Sequence, residues 1–363
     1  MNTTRLIALV ATALIGFSGF GLAADTTWTN DGFITGTEAG KVLPYAYMSA
    51  AAYRVESKPV AGFELVTYAN LPPALQKYYV GMLTSPKTKA TYDACMLVDK
   101  DSGMQARLYK AVDSDTYVLA FSGSDIDITV RGAYNMMTNV ANAAGYESTV
   151  YAQAADWMKS VIEQYPDACV IATGTSLGGG LAQYATLMNK MQVISKGETI
   201  THNVKAYCFN DPALTGAQLG NVILANKIPA ADPQKPSTAS LRLMDSIARP
   251  IITHVYVEGE WASGYHPGYW FGKQYTVRFY DQSWKGYYSK NHHDAYAVRK
   301  SLEKAAGVAT SGTIETSTAT KPGVLVVDNA STSTTGSATD TTIINPTPLG
   351  TGVSKRIETA ANP

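Results

Sequence analysis

Short apolar runs alternate along this chain with stretches in which apolar residues return every three or four positions. Five runs have the length and composition of buried strands and are bounded by turn residues: Tyr117 to Phe121, Ala168 to Thr173, Val204 to Phe209, Ile252 to Val257 and Tyr275 to Phe279. Between the first two, Val150, Ala154, Trp157, Met158, Val161, Ile162 and Tyr165 make one apolar helical stripe. Further helices are expected over Val42 to Arg54, from just after Ser176 to about Lys190, from Leu214 to about Ala225, and from near His293 to before Gly307. Strand, helix and strand in alternation predict an α/β fold: a mostly parallel central sheet with helices on both faces.

The two ends depart from this pattern. Residues 1–24 carry Arg5 in a short polar start, an apolar run from Leu6 to Phe20, and the small-x-small sequence Gly21-Leu22-Ala23. That is the form of a cleaved signal peptide, and it predicts a secreted or periplasmic protein. Gly16 and Gly19 interrupt the run, which falls short of the ~20 apolar residues that a membrane span needs. No later stretch is long and apolar enough to cross a bilayer, so no stable transmembrane anchor is expected. From Ala309 to Asp340 the composition turns to Ser, Thr, Gly and Ala, too poor in apolar surface to fold alone. The expected organisation is a signal peptide over 1–24, one α/β domain over 25–308 and a flexible tail over 309–363.

Charge narrows the partners. Lys plus Arg number 29 and Asp plus Glu number 29, and only 16% of residues are charged, so no basic field exists to hold phosphates. Nucleic acid is not an expected partner. Cys95, Cys169 and Cys208 are too few for a disulfide framework and lie in no metal-ligand spacing, so neither a metal nor another cofactor is expected. A bridge between Cys169 and Cys208 is open at this level. The pattern is silent on oligomeric state.

Gly174-Thr175-Ser176-Leu177-Gly178 matches G-x-S-x-G, a pattern whose meaning depends on context. Here the strand Cys169-Val170-Ile171-Ala172 precedes it, and Gly178, Gly179 and Gly180 allow close packing as the next helix begins. A sharp strand-to-helix turn of this kind lifts a serine hydroxyl out of the sheet, and it predicts the α/β-hydrolase architecture with Ser176 as nucleophile. A hydroxyl needs a base to take its proton and a third group to orient the base, and in this fold they follow in the order Ser, acid, His. Of five histidines, His202 and His254 precede or sit within strand-like runs, His266 lies in a Gly-Tyr-His-Pro-Gly loop, and only His292 and His293 follow the last strand. His293, which opens His293-Asp294-Ala295-Tyr296, is preferred as the base, leaving His292 as a solvent-facing neighbour. The acid is sought after the strand Ile252 to Val257, in Glu258-Gly259-Glu260. Alternation points the two carboxylates roughly the same way, so periodicity does not choose between them. Asp211 and Asp245 are fallbacks, with Asp211 read as turn-forming. The oxyanion donors are expected from the backbone N–H of Leu177 and from the loop Ser122-Gly123-Ser124-Asp125 after an earlier strand.

Together these residues resemble the class 3, or fungal-type, lipases. Ser49-Ala50-Ala51-Ala52-Tyr53 matches the family's Ala-Ala-Tyr helix, and Phe121-Ser122-Gly123-Ser124 its Phe-Arg-Gly-Ser strand end. Asp127 to Asn139 loosely fills its Asp…Asn segment. G-x-S-x-G-G, Phe209-Asn210-Asp211-Pro212, the Gly259-Glu260 turn and His-x-x-Tyr then follow in order, over roughly residues 40 to 305. Ser122 stands where the family has Arg, and Glu260 where its acid is usually Asp. The resemblance implies Ser176 as nucleophile, Glu260 as acid, His293 as base, and Ser124 with Leu177 as oxyanion donors. It implies a lipase or phospholipase that forms an acyl-enzyme on an ester or lipid substrate, at a lipid-water interface. Trp261, Tyr265, Tyr269, Trp270 and Phe271 beside Glu260 offer either an acyl-binding surface or ordinary packing. Two other readings stand beside this one: an exported binding or surface protein on the same fold, and a hydrolase of a polymeric ester or amide.

Overall fold

A computed structural model of the chain describes residues 30–53, 60–84, 91–123, 146, 148–193, 199–260, 268–281 and 290–308. The expected leader and tail lie outside the described residues, as do Ser124, Asp127, Asn139, Trp261, Tyr265 and His266.

Among the described residues ten strands form one sheet. They are β1 (Asn30–Phe33), β2 (Phe63–Leu65), β3 (Tyr79–Thr84), β4 (Thr91–Val98), β5 (Gln105–Ala111), β6 (Thr116–Phe121), β7 (Cys169–Thr175), β10 (Val204–Phe209), β11 (Ile252–Val257) and β12 (Lys273–Val277). Strands β8 (Met191–Val193) and β9 (Thr199–Thr201) make a separate antiparallel pair. The large sheet runs β1-β12-β11-β10-β7-β6-β5-β4-β3, with β2 against β5. From β1 to β6 every neighbour is parallel. From β6 to β3 the pairing is antiparallel.

The five runs read from the sequence are five of the six strands of the parallel half, shifted by two residues at β12, where pairing with β11 ends at Val257 opposite Val277; the edge strand β1 was not anticipated. The antiparallel half escaped notice because polar residues interrupt it. Arg107 on β5 is fully buried, and its guanidinium donates to the carbonyls of Ala94 and Ala51.

Side chains alternate across the sheet, as the pleat requires. Tyr117, Leu119 and Phe121 of β6 and Val170 and Ala172 of β7 enter one core with Trp157, Met158, Leu181 and Ala185. Val118, Ala120, Cys169 and Ile171 face the other, with Val42, Met48, Val298 and Leu302. The first layer is built by α3 (Thr149–Gln164), α4 (Leu177–Asn189), α5 (Gly216–Ala225) and α6 (Thr238–Ala248). The second is built by α1 (Gly36–Ala52) and α8 (Ala295–Ala305); two short helices, α2 (Pro73–Gln76) and α7 (Lys290–His293), complete the set described.

Helix α1 starts six residues before the expected Val42 because Thr35 caps it, accepting from the Glu38 N–H at 3.2 Å. The last helix is broken at Asp294, whose carboxylate caps α8 through the Tyr296 N–H at 2.9 Å and leaves His293 on the turn before it. Helix α6 was not anticipated; its cap is Ser237 on the Ser240 N–H. A mixed sheet with a parallel half, clad on both faces, with a sharp turn from β7 into α4 near its middle, is the α/β-hydrolase fold.

Candidate active site

Ser176 is the single residue between the end of β7 and the start of α4. Its φ of 58 and ψ of −132 lie outside the regions open to ordinary residues, a strain on the order of 1–3 kcal/mol that surrounding contacts must hold. Several do. The Ser176 N–H donates to the Phe209 carbonyl at 2.9 Å, and the Ser176 carbonyl accepts from Gly179 and Gly180 at 2.9 and 3.2 Å. Behind it, Thr175 is gripped by two residues of the Ser-Ala-Ala-Ala-Tyr segment: Ser49 Oγ lies 2.5 Å from Thr175 Oγ1, and the Tyr53 hydroxyl donates to the Thr175 carbonyl at 2.7 Å. The glycines are needed for closeness. A Cβ on Gly179 would stand 2.5 Å from Asp211 Cβ, and one on Gly178 would stand 2.5 Å from the Phe121 carbonyl.

The two histidine nitrogens expected of a base are both engaged. His293 Nε2 lies 2.7 Å from Ser176 Oγ, and His293 Nδ1 lies 2.6 Å from Glu260 Oε1. A carboxylate only accepts, so Nδ1 carries the hydrogen and Nε2 is left to accept from the serine hydroxyl. The Glu260 side chain is 1% exposed and that of His293 18%, so the carboxylate is shielded from water while the imidazole edge reaches it. A desolvated carboxylate without a partner would be costly, and the imidazole is that partner.

Three expectations change here. Glu258 and Glu260 do not point the same way: the chain turns at Gly259, with φ of 79, and Glu260 N–H closes back on the Val257 carbonyl at 2.9 Å. Strand alternation has stopped, so Glu258 is exposed while Glu260 turns inward. His292 is not a solvent-facing neighbour. It is buried, stacked 3.9 Å from the Phe279 ring, with Nδ1 donating to the Glu258 carbonyl at 2.9 Å. Of the aromatic residues after Glu260 that are described, Trp270 and Phe271 are buried and Tyr269 packs half-buried against the core, and Trp270 Nε1 donates to the Asp211 carbonyl at 2.9 Å.

The fallback acids are occupied elsewhere. Asp211 accepts from His254 Nδ1, with both carboxylate oxygens at 3.0 Å and both side chains fully buried. Asp245 Oδ1 accepts from the Gly272 N–H at 2.8 Å. Cys208, Asp211 and His254 are the one group of metal-ligating type close together among the described residues. Both ring nitrogens of His254 are already used, Nε2 on the Phe271 carbonyl at 3.1 Å, and burial pushes the Cys208 thiol well up, away from the thiolate a metal wants. Cys95, Cys169 and Cys208 are all free.

Leu177 opens α4, so its N–H has no intrahelical carbonyl and faces the space before the helix. The segment Phe121-Ser122-Gly123 packs against Gly178 in the same first turn. Ser124, the second expected donor, falls outside the described residues.

Parts of this chain are similar to known proteins. Residues 44–195, which contain β7, Ser176 and α4, match the family model described as a Tle-like phospholipase domain, phospholipase-like. The chain is 41% identical over 95 residues to the "Extracellular phospholipase A1" of Serratia liquefaciens. That stretch covers 26% of this chain, and the chain spans 27% of the length of this curated relative. Solved structures of lipases are also similar. Nonglycosylated LIP2 lipase of Yarrowia lipolytica shares 16% identity over 68% of this chain and 81% of its own, with a TM-score of 0.37. The Rhizomucor miehei lipase propeptide complex shares 13% over 74% and 78%, with a TM-score of 0.36.

Proposed function

We propose that this protein is a serine carboxylic-ester hydrolase acting on acyl lipids, as a lipase or phospholipase. The observation that carries the reading is the relay Ser176 Oγ, His293 Nε2, His293 Nδ1, Glu260 Oε1, continuous at 2.7 and 2.6 Å.

The roles follow from the hydrogen bonds. Ser176 Oγ attacks the ester carbonyl carbon as its proton passes to His293 Nε2. The imidazolium so formed is held by Glu260, which stays ionised. The oxyanion takes the Leu177 N–H, with Ser124 as the second donor. Collapse breaks the bond to the alcohol, whose oxygen receives the proton from His293, and leaves the acyl group on Ser176. Water then gives its proton to His293 and its oxygen to the acyl carbon, and the carboxylic acid leaves as Ser176 regains its proton. Glutamate in place of aspartate is accommodated by the turn at Gly259, which brings the longer side chain back toward the imidazole.

A phospholipid substrate is supported by the phospholipase-like family match and by the Serratia relative. Export fits the apolar start of the chain and that relative's printed description as extracellular. The same reading takes 1–24 as the signal peptide, 25–308 as the hydrolase domain and 309–363 as a tail.

The test pairs phospholipid, triacylglycerol and short p-nitrophenyl esters on wild type and Ser176→Ala. Activity should fall by roughly 10⁶ on every ester that wild type cleaves, and a fluorophosphonate probe should label wild type alone. Turnover that survives in Ser176→Ala would sink the assignment. A wild type that neither turns over any ester nor takes the probe would favour a binding protein on the same fold.

A further inference from the structure

The relay is short, yet its three members come from three places: Ser176 from the β7–α4 turn, Glu260 from the turn after β11, and His293 from α7. Something must hold the second and third in register. Asn210, the first residue after β10, is in a position to do so. It is fully buried, and its φ of 44 turns the side chain out of the strand path. Asparagine tolerates that left-handed conformation better than most residues.

Both ends of its amide are used. Asn210 Oδ1 accepts from the Val257 N–H at 2.9 Å, and Asn210 Nδ2 donates to the His292 carbonyl at 2.8 Å. The orientation of the amide is dictated, because an N–H must meet oxygen and a carbonyl must meet the NH₂. Val257 is the residue whose carbonyl closes the turn carrying Glu260. The His292 carbonyl belongs to the peptide unit whose nitrogen is that of His293. One buried side chain thus joins the acid turn and the base segment. A second link runs alongside, from His292 Nδ1 to the Glu258 carbonyl at 2.9 Å, and it passes so close to Gly259 that a Cβ there would stand 2.9 Å from His292 Nδ1.

We infer that Asn210 is a positioning residue that sets the distance between Glu260 and His293 by bridging Val257 and His292. It rests on the hydrolase reading above and adds to it a residue that touches neither substrate nor reacting atoms. Losing the bridge loosens the base relative to nucleophile and acid, and misplacement on the order of 1 Å costs roughly 10²-fold in rate. Ground-state binding of the ester is untouched.

The experiment measures kcat and KM on a p-nitrophenyl ester, the rate of fluorophosphonate labelling, and the urea midpoint. The proteins are wild type, Asn210→Gly, Asn210→Asp, Asn226→Ala and Ser176→Ala. Glycine removes both bonds without opposing the positive φ, and Asp keeps the acceptor for Val257 while setting an oxygen against the His292 carbonyl. Asn226 is the control: a buried amide that donates to Leu187 and Val222 at 2.9 Å, far along the chain from the relay. Expected is a fall of about 10- to 100-fold in kcat and in labelling rate for both Asn210 variants, with KM within about twofold. Asn226→Ala should lower the urea midpoint and leave kcat alone. The inference is overturned if the folded Asn210 variants keep wild-type kcat, if their loss lies in KM, or if Asn226→Ala loses kcat equally. Should Asn210→Gly not fold, Asn210→Asp decides by the same criteria. Survival of turnover in Ser176→Ala, by contrast, strikes the hydrolase reading itself.

Discussion

At the scale of single residues, what separates Glu260 from Glu258 is one backbone turn. Gly259 adopts a φ that glycine reaches at no steric cost, and the chain reverses so that one carboxylate is buried against His293 while its neighbour stays in water. The two substitutions should therefore behave differently. Glu260→Gln keeps the shape but offers Nδ1 no full charge to steady the imidazolium, and a loss on the order of 10⁴ in kcat is expected by comparison with other triads. Glu258→Gln, at an exposed side chain, should stay within about twofold of wild type. Steady-state kinetics on one short ester suffices; equal losses in the two variants would remove Glu260 from its role. The same contrast applies to the adjacent histidines. His293 presents both nitrogens to the relay, whereas His292 spends its Nδ1 on a backbone carbonyl and its ring face on Phe279.

Elements matter because the strained serine has to be held by its neighbours. Helix α4 sits directly against the ends of β6, β7 and β10, and only glycine fits at the points of closest approach. Gly179→Ala would set a methyl 2.5 Å from Asp211 Cβ, with the side chain of Asp211 already fixed by His254. That pair is buried and both its partners are spoken for, so it yields little. We expect destabilisation of about 1–3 kcal/mol, read as a lower urea midpoint with an unchanged slope. An unchanged midpoint would mean that α4 moves away freely and that the close packing does not hold the turn. Helix α1 contributes from the other face, where Ser49 and Tyr53 grip Thr175. The Ala-Ala-Tyr segment thus has a physical role one residue behind Ser176.

For the molecule as a whole, stability rests on two apolar layers that also bury many tyrosines. Burial pushes Tyr109 up to about 12, and burial with nearby Cys169 does the same for Tyr207. Tyr45 and Tyr151 are driven higher still, mainly by burial. An unfolded tyrosine ionises near 10, so above that pH the unfolded chain sheds protons that the folded one keeps. The contribution of these groups is whole below about pH 10 and is lost as pH rises through about 12. Urea midpoints should hold level up to about pH 9 and fall steeply by about pH 11, with tyrosinate absorbance rising together with unfolding. Tyrosinate absorbance that climbs while the fold stays intact would show that these hydroxyls reach solvent in the native state.

The amino-acid sequence alone determined five of the six parallel strands, the helix after Ser176, and the candidates Ser176 and His293, because local periodicity and turn chemistry act over a few residues. It left the antiparallel half unread: Arg107 and its neighbours look polar in sequence and become buried only where Ala51 and Ala94 supply carbonyls from other elements. Only the tertiary structure set Glu260 rather than Glu258 against His293, buried His292, withdrew Asp211 into a pair with His254, and gave Asn210 its two partners. Each of these turns on a contact between residues far apart in the chain, whose geometry is set when strands and turns pack and is carried by no local pattern.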